Sequence, residues 1–545
     1  MARNEKKAIT AVLACLLAIV MIAGCATQTP STSPSTTEPT STTTPASTSS
    51  AEKNSTHLTL SIALWEIDPD FVSSDDPMYM KIQKDLNIDI NPILLTWDDY
   101  QTKINVWAAS GSLPDAFAVD LVGSANYTKF IQNGLVKAMP DDMSAYPNLV
   151  PLYDQSDVQA TKYEDQFYMV PRANLAVNNS KTNPSTGQRT IWYRKDWTQQ
   201  LGLSVPTNVT EFVAFVKALK DGMSAENGIT SYDVGFIADC ISLMSAPGIT
   251  SGAWVKGDDG NYMPGFFTGA YLESLKLMNR MYKDGLIDKD FPIEKTTDGL
   301  DKFATGKSVV CTYQCSGPHE LINTFATPYE KTFPGKKGVD AFGILPPMTA
   351  SDGKAYVYNS SSFWSETYIN AKADEDKSDR ILQLLDFCQS PEFDLFCGYG
   401  IEGVDFTRSG DDITITRPKD AEGNYVSIAS LYKFQTGWSF LTTWAIGKPN
   451  YLKNPALSDE QKDWYTAALA EQVKGIPGPY LYEASLMSTP LKDAFKWDIG
   501  ADVTKIITAA DPVADYNAAI AKYKAAGFDA MIKEVNDGLK AQGIN

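Results

Sequence analysis

The sequence predicts an α/β fold for its main body, on three observations. The stretch HLTLSIALW alternates Leu58, Leu60, Ile62 and Leu64 with other residues, as a half-buried strand does. After it, segments with helical spacing alternate with short apolar runs, the order expected of a parallel-sheet unit. About 490 residues follow the low-complexity N-terminal stretch, enough for two large lobes or three smaller domains.

In chain order, the first element is an export signal. A short charged head, Arg3, Glu5, Lys6 and Lys7, precedes the apolar run AITAVLACLLAIVMIAG, which is too short to span a bilayer and passes directly into Thr, Ser and Pro. Ile22-Ala23-Gly24-Cys25 resembles the lipobox of bacterial lipoproteins, which implies cleavage of residues 1–24 and lipid on Cys25. A diacylglyceryl group buries about thirty methylenes at ~0.8 kcal/mol each, enough to hold a protein on a membrane. Residues 25–56 then read as a disordered Ser/Thr/Pro tether, too poor in apolar groups to offset the entropy of ordering it.

The formal charge is −19 and the sequence pI about 4.6, which argues against nucleic acid and anionic lipid surfaces as partners. Of the seven cysteines, five lie in the body, so at least one of these has no intrachain partner within it. Spacing leaves open whether Cys311 pairs with Cys315, or Cys388 with Cys397. With only His57 and His319, most zinc sites and most imidazole dyads are excluded.

Within the body, DDPMYMKIQKDLN is a helix and IDINPILLT a second strand. DDYQTKINVWAASG predicts a helix capped near Asp98 and stopped at Gly111, followed by the strand AFAVDLV. PTNVTEFVAFVKALKDG starts with a capping-box-like pair, Asn208 and Glu211, and stops at Gly222. Core stripes recur through Tyr271, Leu275, Met278 and Tyr282; through Ile381, Leu384, Leu385 and Cys388; and through Phe528, Met531, Ile532, Val535 and Leu539.

The segments NVWAASGSLPDAFAVD, NGLVKAMPDDMSAYPNLVPLY, TIWYRKDWTQQLGLSVPTNVTEFVAFVKALK, MYKDGLIDKDF, FATGKSVV and GYGIEGVDF resemble, in order, the landmarks of extracellular solute-binding lipoproteins. These proteins are the capture subunits of bacterial ABC importers, here of the branch for oligosaccharides and related polyhydroxylated solutes. The resemblance implies a two-lobed, periplasmic-binding-protein-like α/β fold with crossing hinge strands and an interlobe cleft. By similarity, residues 57–175 and 346–400 form lobe 1, and 176–345 and 401–545 form lobe 2. The expected partners are an oligosaccharide, the transmembrane subunits of an ABC permease, and the membrane through the N-terminal lipid. A monomer working on the extracellular face is expected, without cofactor, resident metal or catalytic residues.

A polyhydroxylated ligand calls for flat aromatics against its ring faces and carboxylates, amides or Arg at its edges. Trp65 at the end of the first strand, Trp254 among turn formers and Trp364 after YNSSS are candidates, with structural packing the alternative for each. Ligands in open α/β sheets sit beyond the carboxyl ends of strands, which selects Glu66, Asp68 and Asp120. Glu402 and Asp405 in GYGIEGVDF sit at a predicted lobe crossing, where holding the hinge is the alternative role. Arg172 precedes the presumed first crossing, and Arg194 is a further candidate unless it pairs with Asp196. No phosphate loop, dinucleotide fingerprint, nucleophile elbow or zinc-protease motif is present, and no acidic turn completes a calcium loop. The alternative function is a cell-surface glycoside hydrolase, using Glu402 and Asp405 as its carboxylate pair.

Overall fold

The nine strands of the two main sheets are, in chain order, β1 Leu58–Trp65, β2 Ile88–Leu95, β3 Ala116–Val119, β4 Val170–Ala173, β5 Thr190–Arg194, β6 Asn227–Ser231, β7 Ser308–Tyr313, β8 Phe342–Ile344 and β9 Phe363–Ile369. The structure is a computed structural model that describes residues 54–65, 67, 72, 75–97, 99–174, 189–295, 297–421, 423, 425–434, 441–443 and 454–544. Cys25, Glu66 and Asp68 lie outside the described residues.

The first sheet has the order β2-β1-β3-β9-β4, with β1 parallel to β2 and β3, and β9 antiparallel to both its neighbours. The second has the order β8-β5-β7-β6, in which only β6 and β7 run parallel. The pattern of strand, helix and strand at the start of the body is realised, with Leu58 opposite Ile88 and Trp65 opposite Leu95. In one respect β1 departs from its alternating sequence. Ala63, Leu64 and Trp65 are all fully buried, because an interior strand is covered on both faces.

The covering helices are set by local chemistry. In α1, Pro77–Leu86, the Asp76 carboxylate accepts from the amides of Met78 and Tyr79, and Pro77 occupies a first-turn position where its missing N–H costs nothing. The next helix, α2, Tyr100–Ser110, ends at Gly111, which takes φ +70°. After α3, Ala125–Gln132, comes α4, Val209–Met223, which runs past Gly222 and ends with Ser224 left-handed. Asn208 caps α4 as expected, but Glu211 reaches back to the amide of Thr207 instead of that of Asn208. Further on lie α5, Val234–Ser245; α6, Gly269–Lys283; α7, Glu375–Cys388; α8, Tyr482–Leu486; α9, Pro490–Ala494; and α10, Phe528–Ala541. The apolar stripes of α6, α7 and α10 face their cores, although Tyr282 is only partly buried.

One core lies around the first sheet (Leu60, Ile62, Phe117, Tyr368, Leu384), a second on one side of the second sheet (Phe212, Ile229, Leu275, Val310, Met531). A third cluster, around Trp192, Phe303, Phe325 and Phe342, includes residues of β5, β7 and β8. Each such side chain contributes about 1.5–3 kcal/mol on burial. The chain leaves the first sheet at Ala173 for Thr190 and returns from Ile344 to Phe363. Phe434 and Leu441 pack in the first core and Thr443 bridges Ala173, so the chain beyond residue 400 does not pass to the second half where expected.

Two further expectations are corrected or resolved. Residues 54–56, assigned to the tether, belong to the body: Asn54 is buried, donates to Gln383 Oε1 at 2.9 Å and accepts from Arg380 Nε. The five cysteines of the body are buried and none forms a disulfide, so neither pairing left open by spacing is formed. Among the described residues no helix is long and apolar enough to cross a membrane.

Candidate functional site

The parallel strands β1, β2 and β3 end at one edge of the first sheet, and the antiparallel β9 brings its beginning to that same edge. Four aromatic side chains meet there. Trp65 closes β1; Trp97 follows β2; Tyr100 opens α2; Trp364 lies near the start of β9. Trp65 and Trp97 are stacked, with centroids 5.3 Å apart and planes at 17°, and Tyr100 meets Trp65 edge-on at 4.8 Å. Trp364 lies 6.0 Å from each of Trp65 and Trp97. Trp65 is fully buried, whereas Trp97 and Trp364 are 45% and 39% exposed, leaving aromatic surface accessible for a ligand.

A β-bulge sets this arrangement. The register of β9 against β4 shifts between Phe363 and Glu366, and Ser365 there adopts φ +61°, a strained value for a residue with a side chain. The shift leaves Trp364 outward and both Ser365 and Glu366 buried. Arg172 on β4 holds the bulge, donating from Nη1 to Ser365 Oγ at 2.8 Å, with its guanidinium 4.8 Å from the Trp65 ring centroid.

Beside this cluster is a cavity of about 430 Å³, a volume suited to a small ligand. From the first half it is lined by Gln101, Asp120, Trp364 and Glu366; across from them stand Tyr482, Ser485 and Leu486 of α8. Neighbouring residues of α8 and its end, Ala484 and Met487, pack in the second core, so the cavity has walls from both halves. The walls approach closely at Gly123, whose φ is +79° and where a β-carbon would sit 3.1 Å from the Ser485 carbonyl oxygen.

Two carboxylates face this space. Asp120 Oδ1 accepts from Gln101 Nε2 at 3.2 Å, and burial pushes its carboxyl above the usual range. Glu366 Oε2 accepts from the amides of Leu121 and Val122 at 2.9 and 3.3 Å and from the Tyr368 hydroxyl at 2.9 Å. Burial outweighs those donors and pushes the Glu366 carboxyl up to about 8.

Of the sequence candidates, Trp65, Asp120, Arg172 and Trp364 are brought together, with Trp65 and Arg172 acting from behind the accessible surface. The others are placed elsewhere. Arg194 is 1% exposed and forks onto Asp196 at 2.8 and 2.6 Å, stacked on Trp197, which is the pairing weighed against ligand contact. Trp254 is buried in the second core, edge-on to Trp497. Glu402 is exposed and pairs with Arg408 at 3.1 Å. Asp405 accepts from the amide of Ile401 at 2.8 Å and from the Tyr432 hydroxyl at 2.6 Å. Its carboxylate fills the space over Gly400, where a β-carbon would come within 2.4 Å. These carboxylates shape a loop outside the cavity; Arg194, Trp254, Glu402 and Asp405, the other ligand contacts expected from the sequence, are engaged in their own packing and do not line it.

Sequence reasoning passed over Trp97, Gln101, Glu366 and Tyr482. Glu366 carried a usable signal, a lone charge inside the otherwise strand-like FWSETYI. Trp97 carried another, standing just past a strand's carboxyl end. Tyr482 carried none, since only tertiary packing brings it opposite β3.

A second aromatic group marks the corresponding edge of the second sheet. Tyr232 follows β6 and Tyr313 ends β7, with centroids 5.4 Å apart. Arg189 precedes β5, pairs with the buried Asp239 at 3.0 Å and lies over the rings of Phe236 and Tyr358 at 3.8 and 4.8 Å. A larger groove of about 750 Å³, between β8 and the helix Asp459–Gln472, is lined by Tyr193, Phe342, Trp464 and Glu471 and does not reach the first sheet. Among the described residues no group of three or more His, Cys, Asp or Glu side chains is placed to hold a metal ion.

Comparison with known proteins agrees with this fold. Residues 69–393 match the bacterial extracellular solute-binding protein family. The polygalacturonan/rhamnogalacturonan-binding protein YtcQ of Bacillus subtilis is 22% identical over 85% of this chain and 88% of its own. Lipoprotein LipO of the same organism is 21% identical over 72% of each chain. Among solved structures, the alginate-binding protein AlgQ2 superposes with a TM-score of 0.66 at 16% identity, over 89% of this chain and 98% of its own. The substrate-binding protein FusA of Streptococcus pneumoniae, in complex with kestose, gives 0.61 at 16% identity, over 89% of this chain and all of its own.

Proposed function

The chain belongs to the bacterial extracellular solute-binding protein family, and from that premise we propose that it captures an oligosaccharide or related polyhydroxylated solute and delivers it unchanged to an ABC permease. The observation that carries this reading is the half-exposed pair Trp97 and Trp364 beside a cavity walled from both halves and edged by Asp120, Gln101 and Glu366. Flat rings answer the weakly apolar faces of a sugar. Carboxylates and amides answer its hydroxyls with charge-assisted bonds that offset lost hydration. The oligosaccharide-binding relatives and neighbours support the same class.

The mechanism is a population shift. A ligand touching β3 and β9 on one side and α8 on the other binds the closed arrangement better than the open one, and closure follows from that difference in affinity. The permease then distinguishes the closed form. Lipid on Cys25 and the residues up to Lys53 hold the body near the outer membrane face, in keeping with the lipobox-like sequence and the LipO relative.

The hydrolase alternative has little to stand on. Glu402 is spent on Arg408 and Asp405 on its own loop, and neither lines the cavity. The test uses the chain from Ala26 onward, which lacks the lipidated cysteine and keeps every described residue. Thermal unfolding against a panel of oligosaccharides is expected to reveal a rise in melting temperature with one class, that sugar being recovered intact by chromatography. Recovery of shortened sugar would sink the reading.

A further inference from the structure

Resting on the sugar-binding reading above, we propose that the cavity between β3, β9 and α8 selects a neutral oligosaccharide, and that Asp120 rejects ligands bearing uronate carboxylates. Among the described residues, the two charged side chains that line the cavity are both acidic, and no Lys or Arg lines it. The remaining polar lining is neutral: amides such as Gln101, Asn105 and Asn126, and hydroxyls such as Ser361 and Ser485.

The cations packed behind these walls are already committed. Arg172 is fully buried, with Nη1 donating to Ser365 Oγ and its guanidinium against Trp65. Lys492 is 5% exposed and donates to the carbonyl oxygens of Ser485 and Met487. Neither lines the cavity, so a ligand carboxylate would meet neither. A uronate would therefore bring an acceptor-only anion against the Asp120 carboxylate, with no cation of the lining to offset the repulsion.

A neutral sugar meets the opposite situation. Its hydroxyls donate to Asp120, and they do so in a geometry fixed beforehand, because Gln101 holds Asp120 and three donors hold Glu366. The aromatic surface of Trp97 and Trp364 is indifferent to this charge distinction and accepts either ring face. The discrimination lies in Asp120.

Matched ligands isolate the effect. Oligogalacturonides and their carboxyl-reduced counterparts share linkage and length, and differ only in carrying a carboxylate or a primary alcohol. Calorimetry on the chain from Ala26 onward would compare these pairs beside a broader panel of neutral oligosaccharides. Neutral members are expected to bind, each about tenfold or more tighter than any acidic counterpart, with the gap narrowing as salt is raised. Asp120→Asn is expected to narrow the gap at constant salt, and Asp120→Ser serves as the second variant if the first fails to fold. Acidic members binding as tightly as their neutral counterparts would overturn the inference while leaving a sugar-binding protein. Binding of no member of either panel would overturn the reading on which it rests.

Discussion

Thr128 Oγ1 lies 2.5 Å from Asp493 Oδ2, joining α3 to α9 across the two halves. The α3 side belongs to the first core through Tyr127, Phe130 and Ile131. The α9 side leans on α10 of the second, where the Leu491 amide donates to Glu534 at 2.8 Å. Ser488 Oγ donates to the same Asp493 oxygen at 2.6 Å, so the carboxylate is already positioned when Thr128 reaches it. Thr128→Val is expected to weaken ligand binding by about tenfold, the loss of one partly exposed charge-assisted bond. Small-angle scattering of the ligand-free variant should show a larger radius of gyration, with melting temperature little changed. Equal radius and equal affinity would show that the contact does not favour closure.

Three tryptophans meet at one place and should respond differently to truncation. Trp97→Ala and Trp364→Ala each remove half-exposed ring surface, and about 1–3 kcal/mol of ligand affinity should go with it while stability holds. Trp65→Ala removes a fully buried ring and should cost about 3–5 kcal/mol of folding stability. Chemical denaturation and calorimetry on the three variants separate the roles.

Glu366 ties stability to pH. Its carboxyl is raised from an ordinary value of 4.5 to about 8 by burial, so the folded state holds a proton that the unfolded chain releases. That contribution is complete below about pH 4.5 and is lost as pH rises through about 8. Relative to Glu366→Gln, the wild-type chain should lose stability between pH 5 and 8, by ~4 kcal/mol at most. Denaturation midpoints at three pH values across that window check the slope, and parallel curves would rule it out.

The five buried thiols should be silent in the folded protein. Burial pushes the thiols of Cys240, Cys311 and Cys388 well above their ordinary range, and none of the five is bridged. A thiol reagent should therefore react with the chain from Ala26 onward only after denaturant is added, and a reductant should leave the melting temperature unchanged.

Replacement of Cys25 by Ala tests the anchor. The variant is expected to move from the membrane fraction into the medium, with the sugar affinity of the body intact. Retention on the membrane would point to a different attachment.

Much of the fold was legible because it rests on local chemistry. The alternation of β1, the Asp76–Pro77 start of α1, the Gly111 stop of α2 and the stripes of α6 and α10 are written within a few residues of where they act. Half of the site was legible for a related reason: Trp65 and Asp120 stand at strand ends, where a sheet edge must open. The expectation and the structure part where a carboxylate in a glycine-rich loop was given to a ligand, since Asp405 bonds Ile401 and Tyr432 and stands away from the cavity. They part again where pairing depends on residues hundreds of positions apart, as Tyr482 opposite β3 does. A bulge such as that at Ser365 leaves little trace in sequence, because serine does not announce a positive φ.

Asn54 is fastened by Arg380 and Gln383 of α7, and Arg380 also donates to the Leu86 carbonyl oxygen at 2.8 Å. A mechanical load arriving along the preceding chain thus enters through α7 and the first sheet, and α7 packs beside α1 and β1. The hydrogen-bond partners of Asn54, on Asp85, Asn87, Arg380 and Gln383, all belong to the first half. A pull on Asn54 should therefore disturb the α7 contacts before it reaches the Thr128–Asp493 bond that joins the two halves.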